Sequence, residues 1–437
     1  MKKRLFMFAT AALMLAACSN DGEVAVNDAA LQSGSGAVAF DTYVSATHAA
    51  YSSGVMTTAQ LGDPGFGVFA YQNTGSYSYS VGPNFMYDQK VYTDVAGAWK
   101  YEPLKYWPNE TGKDMHGVGN YATSTETDVL SFFAYAPWVA STTSTTAGTD
   151  PGINAMYGND VTTRNPWIQY TVSTVPKNSV DLVWGVAPAG GLSYTAVNGE
   201  DIVVAQGKPL MNLVKPAKDQ KIKFLFQHAL ARVGMTVVAA VDQIAPGGTL
   251  NATETKVFVN SVTLADAAAT ATIPSYGKLI LYNSKAGVAN WSDVNTDTRF
   301  SVTINGANLN EDLTTGHNGV TTSEKKVIAQ FDSKDQYLML IPTPGTDAEF
   351  NVTIDYDVVT TDAALNGGQS SVKNVITKKV TLSAASTFDP TVTGFVNNKA
   401  YNLKLILGLT SVKLEAEVAD WEVDGSTNVD LPRNEEE

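Results

Sequence analysis

The sequence predicts an all-β protein made of sandwich or barrel domains. Three observations lead there. Short apolar runs recur along the 437 residues, several with the period of 2 that marks a half-buried strand. Gly, Asn, Asp, Thr and Pro separate these runs. Helical periodicity is scarce, confined to possible short turns at Asp181–Val186 and Gln227–Arg232. In chain order the strand candidates are Val38–Val44, Gly67–Tyr71, Val129–Tyr135, Ile168–Ser173, Ile222–Phe226, Met235–Ala240, Val257–Leu264, Lys278–Leu281, Phe300–Ile304 and Tyr337–Ile341. Phe350–Val358, Val372–Leu382, Asn402–Leu407 and Val412–Val418 follow. The clearest is Phe350–Val358, where Phe350, Val352, Ile354, Tyr356 and Val358 alternate with Asn351, Thr353, Asp355 and Asp357. A turn-rich stretch with Gly367-Gly368 joins it to Val372–Leu382, which predicts a long hairpin.

Two halves are expected, about 37–213 and 214–437, with a break near Asn212–Lys218. The first holds five tryptophans, Trp99, Trp107, Trp138, Trp167 and Trp184, and the second holds Trp291 and Trp421.

The N-terminus reads as an address. Lys2, Lys3 and Arg4 precede an apolar run from Leu5 to Ala17, too short to cross a bilayer, so residues 1–17 form a secretory signal peptide. The run ends Leu15-Ala16-Ala17-Cys18, which resembles a bacterial lipobox, and Cys18 is the one cysteine of the chain. Acylation of Cys18 would tether the mature protein to lipid. Residues 18–36 are small and polar and read as a flexible tether.

Composition excludes several functions. With 29 Lys+Arg against 43 Asp+Glu the net charge is −14, which disfavours nucleic-acid binding. One cysteine makes neither an intramolecular disulfide nor a Cys-rich zinc site. His48, His116, His228 and His317 are widely spaced, without metal-ligand spacing, and no metal or cofactor is expected. No nucleophile elbow or phosphate loop is present; Gly65-Phe66-Gly67 is a turn. His228, among Phe226, Ala229 and Leu230, reads as a hydrogen-bonded core histidine. Trp99, Tyr101, Tyr106 and Trp107 could stack on sugars, or Tyr106-Trp107-Pro108 could close a strand edge and pack on a core.

An ordered series of segments carries a resemblance. After the lipobox come Val38-Ala39-Phe40-Asp41-Thr42-Tyr43-Val44, Trp99-Lys100-Tyr101 with Tyr106-Trp107-Pro108, and Leu130–Pro137. Asp181-Leu182-Val183-Trp184-Gly185, Phe226–Val233 and the closing Val412…Trp421 follow. In that order they resemble the fimbrillin (Mfa-like) family, the type V pilins of Bacteroidota. The acidic residues after Cys18 resemble a surface-export signal of such lipoproteins, or form a solvated linker.

The resemblance implies two β-sandwich domains of transthyretin-like topology and a non-enzymatic, lipid-anchored fimbrial subunit or adhesin at the outer membrane. Its partners would be other fimbrial subunits, in a homo- or hetero-polymer, outer-membrane lipid through acylated (palmitate-bearing) Cys18, and a host or bacterial surface ligand. It also implies assembly by strand exchange. The first strand (Val38, Phe40, Val44) is released by a trypsin-like cut, and a neighbour's C-terminal strand fills the groove by β-augmentation. The donor candidate is 412–423, with Val412, Leu414, Ala416 and Val418 on one face and Trp421 and Val423 out of phase. The same strand could instead complete its own domain. One departure bears on the cut: no Lys or Arg lies between Arg4 and Lys90. The alternatives are a glycan-binding surface lipoprotein that does not polymerise and a secreted hydrolase on a β-sandwich.

Overall fold

The computed structural model describes residues 38–44, 56, 61–80, 82–94, 97–108, 128–140, 151–156, 165–217, 220–239, 255–267, 273–295, 301–305, 326–330, 337–343, 348–361, 363–382, 394–407 and 412–420. The expected signal peptide and tether, with Cys18, lie outside them, as do His48, His116, His317, Trp421 and Val423.

The described residues form 23 strands and one 3-10 turn at Pro176–Asn178, so the all-β expectation holds. In chain order the strands are β1 (Ala39–Val44), β2 (Phe66–Thr74), β3 (Met86–Thr93), β4 (Trp99–Lys100), β5 (Asp128–Ala136), β6 (Gly152–Met156), β7 (Trp167–Thr171), β8 (Val183–Val186), β9 (Leu192–Thr195), β10 (Asp201–Val204), β11 (Leu210–Leu213) and β12 (Lys221–His228). Then come β13 (Ala231–Ala239), β14 (Thr255–Asp266), β15 (Tyr276–Ile280), β16 (Asn290–Asn295), β17 (Ser301–Asn305), β18 (Lys326–Gln330), β19 (Leu338–Leu340), β20 (Ala348–Thr361), β21 (Gln369–Leu382), β22 (Lys399–Leu407) and β23 (Val412–Asp420).

An eight-stranded sheet runs β1-β12-β8-β5-β2-β3-β4, with β11 also on β5. Its central strands are covered on both faces, so all nine residues of β5 are buried and its sequence does not alternate. Side-chain alternation nevertheless feeds two cores. Phe66, Val68 and Ala70 of β2 with Leu130, Phe132 and Ala134 of β5 enter one. Phe69, Tyr71, Phe133 and Tyr135 enter the other, which continues through Ile168 and Leu279 to Val233, Val262, Phe350 and Leu403.

The remaining strands form three larger sheets and the β9–β10 pair. One sheet is β16-β15-β7-β6, one is β18-β13-β22-β23 with β19 on β13, and one is β17-β14-β20-β21. The long hairpin is present as β20–β21, in register from Ala348↔Leu382 to Thr361↔Gln369. Gly367 (φ 102°) and Gly368 (φ 71°) take the left-handed backbone its turn needs.

Two expectations are corrected. Asp181–Val186 and Gln227–Arg232 are not helical. The first runs into β8, and the second is the end of β12, the buried pair Ala229-Leu230, and the start of β13. Strands buried on both faces lose their period-2 signature, so a short apolar run does not declare its type. The sheets also cross the break expected between 213 and 214. Just beyond it, β12 pairs with β1 and β8, and β16-β15-β7-β6 takes two strands from each side. Local composition marks a change of segment, whereas ladder partners are chosen by burial far along the chain.

Gly185 shows how tightly this sheet is packed. A Cβ there would lie 2.7 Å from the Phe224 ring and 3.0 Å from Ala134 Cβ, so only glycine leaves room for both.

Candidate functional site

The first strand occupies a terminal position that it shares with no second neighbour among the described residues. It runs parallel to β12, from Ala39↔Lys221 to Val44↔Phe226. Parallel pairing needs a long crossover connection, and here the chain from 45 to 220 lies between the two strands. The inward residues of β1, Val38, Phe40 and Thr42, are buried, and Val44 ends the strand.

Phe40 is the centre of an aromatic box. Its ring stacks on Phe224 at 6.2 Å and meets Phe66 (6.1 Å), Phe132 (6.0 Å) and Tyr101 (5.5 Å) edge-on. Offset and edge-on aromatic pairs each add about 0.5–1.5 kcal/mol beyond area burial. Trp99 packs edge-on to Phe66 and Trp107 to Phe132, which braces the box from behind.

The segment from Tyr101 to Trp107 clasps the strand. The Tyr101 hydroxyl donates to the Val38 carbonyl at 2.7 Å, and the Val38 N–H donates to the Lys105 carbonyl at 2.9 Å. The Lys105 N–H in turn donates to the Tyr101 oxygen at 3.2 Å. Burial pushes the Tyr101 phenol up to about 12 from its usual 10. The folded-state value is the higher one, so the clasp contributes fully below about pH 10 and is lost as pH climbs towards 12. Urea unfolding across this window should therefore show a steeper alkaline loss in the native chain than in Tyr101→Phe. Equal slopes would mean the phenol does not couple to folding.

One contact is missing. The Thr42 hydroxyl is buried without a hydrogen-bond partner, although the Thr42 N–H is held by Asp41 Oδ1 at 2.9 Å. Burying a hydroxyl in this way costs about 1–3 kcal/mol. The resident strand thus fits its seat imperfectly at one of its three buried inward positions.

A second polar anchor lies on the same sheet. Asp181 Oδ2 accepts the Met56 N–H at 2.8 Å and sits 2.7 Å from His228 Nδ1. All three residues are buried. His228 is therefore a core histidine, as its apolar neighbours imply, and its partner fastens the chain that follows β1. Among the described residues no group of three or more His, Cys, Asp or Glu could hold a metal ion.

The aromatic residues weighed as a sugar platform do not form one. Tyr101 and Trp107 are 4% and 5% exposed, Trp99 is half-buried, and only Tyr106, at 55%, faces solvent. Trp99, Tyr101 and Trp107 are spent on the β1 seat, a role sequence reasoning missed for Tyr101.

The donor candidate is seated in its own chain. Residues 412–420 pair antiparallel with β22, from Lys399↔Asp420 to Leu407↔Val412, as the terminal strand of that sheet. Val412, Leu414, Ala416 and Val418 belong to this strand.

No protein-family model and no curated protein matches the chain. Its fold is similar to that of a fimbrial protein from Bacteroides vulgatus ATCC 8482, with a TM-score of 0.53, 19% identity and coverage of 88% of this chain and 99% of that one. A protein from Bacteroides uniformis ATCC 8492, provisionally named for cell adhesion, aligns over 88% of this chain and 99% of its own at 13% identity, with a TM-score of 0.42.

Proposed function

We propose that this chain is a non-enzymatic fimbrial subunit, made as a lipoprotein acylated on Cys18, carried to the outer-membrane surface and assembled by strand exchange. The observation that carries this reading is the imperfect seat of β1: a terminal strand in an aromatic box, with one buried hydroxyl unpartnered. A fold shared with a fimbrial protein supports it.

The sequence contains a better-matched occupant. Val412, Leu414, Ala416 and Val418 repeat the spacing of Val38, Phe40, Thr42 and Val44. Leucine supplies bulk for the box, and alanine at the Thr42 position brings no hydroxyl to desolvate. A donor strand of this kind covers the groove and satisfies the exposed edge of β12 together. Because no Lys or Arg lies between Arg4 and Lys90, release of β1 needs a protease of other than trypsin-like specificity.

The test is removal of residues 412–437. Since 412–420 is an edge strand, the shortened chain should stay folded and reach the surface, while fibres disappear from cells labelled for the protein in electron micrographs. N-terminal sequencing of the mature form reads where β1 ends. Purified protein that yields no fibre or ladder after limited proteolysis, whatever the protease, would sink the strand-exchange reading.

A further inference from the structure

The eight-stranded sheet comes close to closing on itself. Its end strands β1 and β4 approach each other, and β1 fills the space between β12 and the segment that follows β4. The two walls of this seat hold β1 differently. β12 meets it as a continuous parallel ladder from Ala39 to Val44. The other wall takes both backbone groups of one residue. The Val38 N–H donates to the Lys105 carbonyl, and the Val38 carbonyl accepts from the Tyr101 hydroxyl.

Of the two walls, the second is the one that senses direction. A strand edge such as that of β12 accepts a parallel or an antiparallel neighbour. Apolar residues at every second position keep their spacing when a strand is reversed, so spacing does not choose either. The clasp does. Along a strand the N–H of a residue precedes its carbonyl, so the acceptor at Lys105 stands upstream and the donor at Tyr101 downstream. A reversed strand would set a carbonyl against the Lys105 carbonyl, and two acceptors make no hydrogen bond. The Tyr101 hydroxyl is committed as well. Its oxygen already accepts the Lys105 N–H, and it lies 2.7 Å from the Val38 carbonyl against 3.3 Å from that of Lys105, so its proton serves the occupant. All these contacts use the occupant's backbone, so they read direction whatever its side chains are.

We infer that Tyr101 and Lys105 set the polarity of the strand that fills this seat: it enters parallel to β12 with its N-terminal end at Lys105. The occupant, the C-terminal strand of a second copy, rests on the strand-exchange reading; the polarity rests on the clasp. Polarity in turn places the donor. Only residues 408–411 separate Leu407, the end of β22, from Val412, a reach of at most about 18 Å when fully extended. The body of the donating copy therefore arrives on the Lys105 side, where Leu104 and Tyr106 are 44% and 55% exposed. The residues after Asp420 leave by the opposite end, at Phe226.

Photo-crosslinking to the full-length Phe40→Ala chain tests this, since the substitution loosens β1 and leaves both walls intact. The native chain in sub-denaturing urea gives the same reading should that variant not fold. The probes are two peptides, one with the sequence of 38–44 and one with that of 412–423, each carrying a benzophenone on its first or its last residue. The first-residue probe should attach within 101–108 and the last-residue probe near Phe226. Adding Tyr101→Phe should lower the ratio of this pattern to its reverse about tenfold, the worth of one hydrogen bond. A hydroxyl that only stabilised the fold would change uptake and leave that ratio alone. The reverse pattern, a ratio unmoved by Tyr101→Phe, or refusal of both peptides overturns the inference. A benzophenone in place of Tyr106 should link neighbouring subunits within fibres into covalent ladders, and fibres without such links overturn the placement of the donor. A chain that takes both peptides in the stated direction and never makes a fibre fails the strand-exchange reading instead and keeps the polarity rule.

Discussion

Phe40→Ala should free β1 from the sheet while leaving the rest of the chain folded. The phenylalanine ring touches four aromatic rings and is 4% exposed, so truncation removes its burial and leaves a hole in the box. Losses of about 3–5 kcal/mol are typical for such a change. β1 is terminal and holds one ladder, with β12, so the damage should localise there. Amide hydrogen exchange should rise at least about a hundredfold at 39–44 and along the outer edge of β12, at a tenfold change per 1.4 kcal/mol. Exchange in β20 and β22 should be unchanged. The opposite control is Thr42→Val, which keeps the shape and removes the unpartnered hydroxyl. It should hold β1 more firmly, by about 1 kcal/mol or more. A peptide spanning 412–423 should then enter Phe40→Ala fastest and Thr42→Val slowest. If all three chains take up the peptide at one rate, the seat of β1 does not govern exchange.

Asp181→Ala should lower global stability by about 3–5 kcal/mol, the usual result of removing one member of a buried, hydrogen-bonded pair. Asp181 precedes β8, His228 ends β12, and Met56 lies between β1 and β2, so one carboxylate ties three segments. Its loss leaves the Met56 N–H and the His228 Nδ1 position without that partner in a region sealed from water. Asp181→Asn keeps an acceptor of the same shape and should lose less. Urea unfolding separates the outcomes. A loss below about 1 kcal/mol for the alanine variant would be in the range of an ordinary hydrogen bond and would show that the anchor is dispensable.

The sequence carried much of this architecture. The alternation of Phe350 to Val358 gave a strand, and Gly367-Gly368 gave its turn, because one wet face preserves the period-2 pattern and a positive φ selects glycine. Val38–Val44 was legible as a strand from its run of apolar and β-branched residues. β8 and the β12–β13 passage were not, because both faces of Val183–Val186 and both sides of Ala229-Leu230 are buried and the pattern vanishes. The aromatics from Trp99 to Trp107 left a sugar platform and core packing both open, because neither role has a local pattern of its own.

By itself, then, the sequence determined the half-buried strands, the acidic balance, the absence of Lys and Arg between Arg4 and Lys90 and the solitary Cys18, all of which are local or additive properties. The tertiary structure alone decided that β1 lies parallel to β12, that Tyr101 reaches back to Val38, that Thr42 lacks a partner and that β21 and β23 end side by side. Each of these depends on which distant segments come together. A strand's own pattern fixes which face it buries but leaves its neighbour open, and the neighbour is chosen by the burial and hydrogen bonding of the whole sheet.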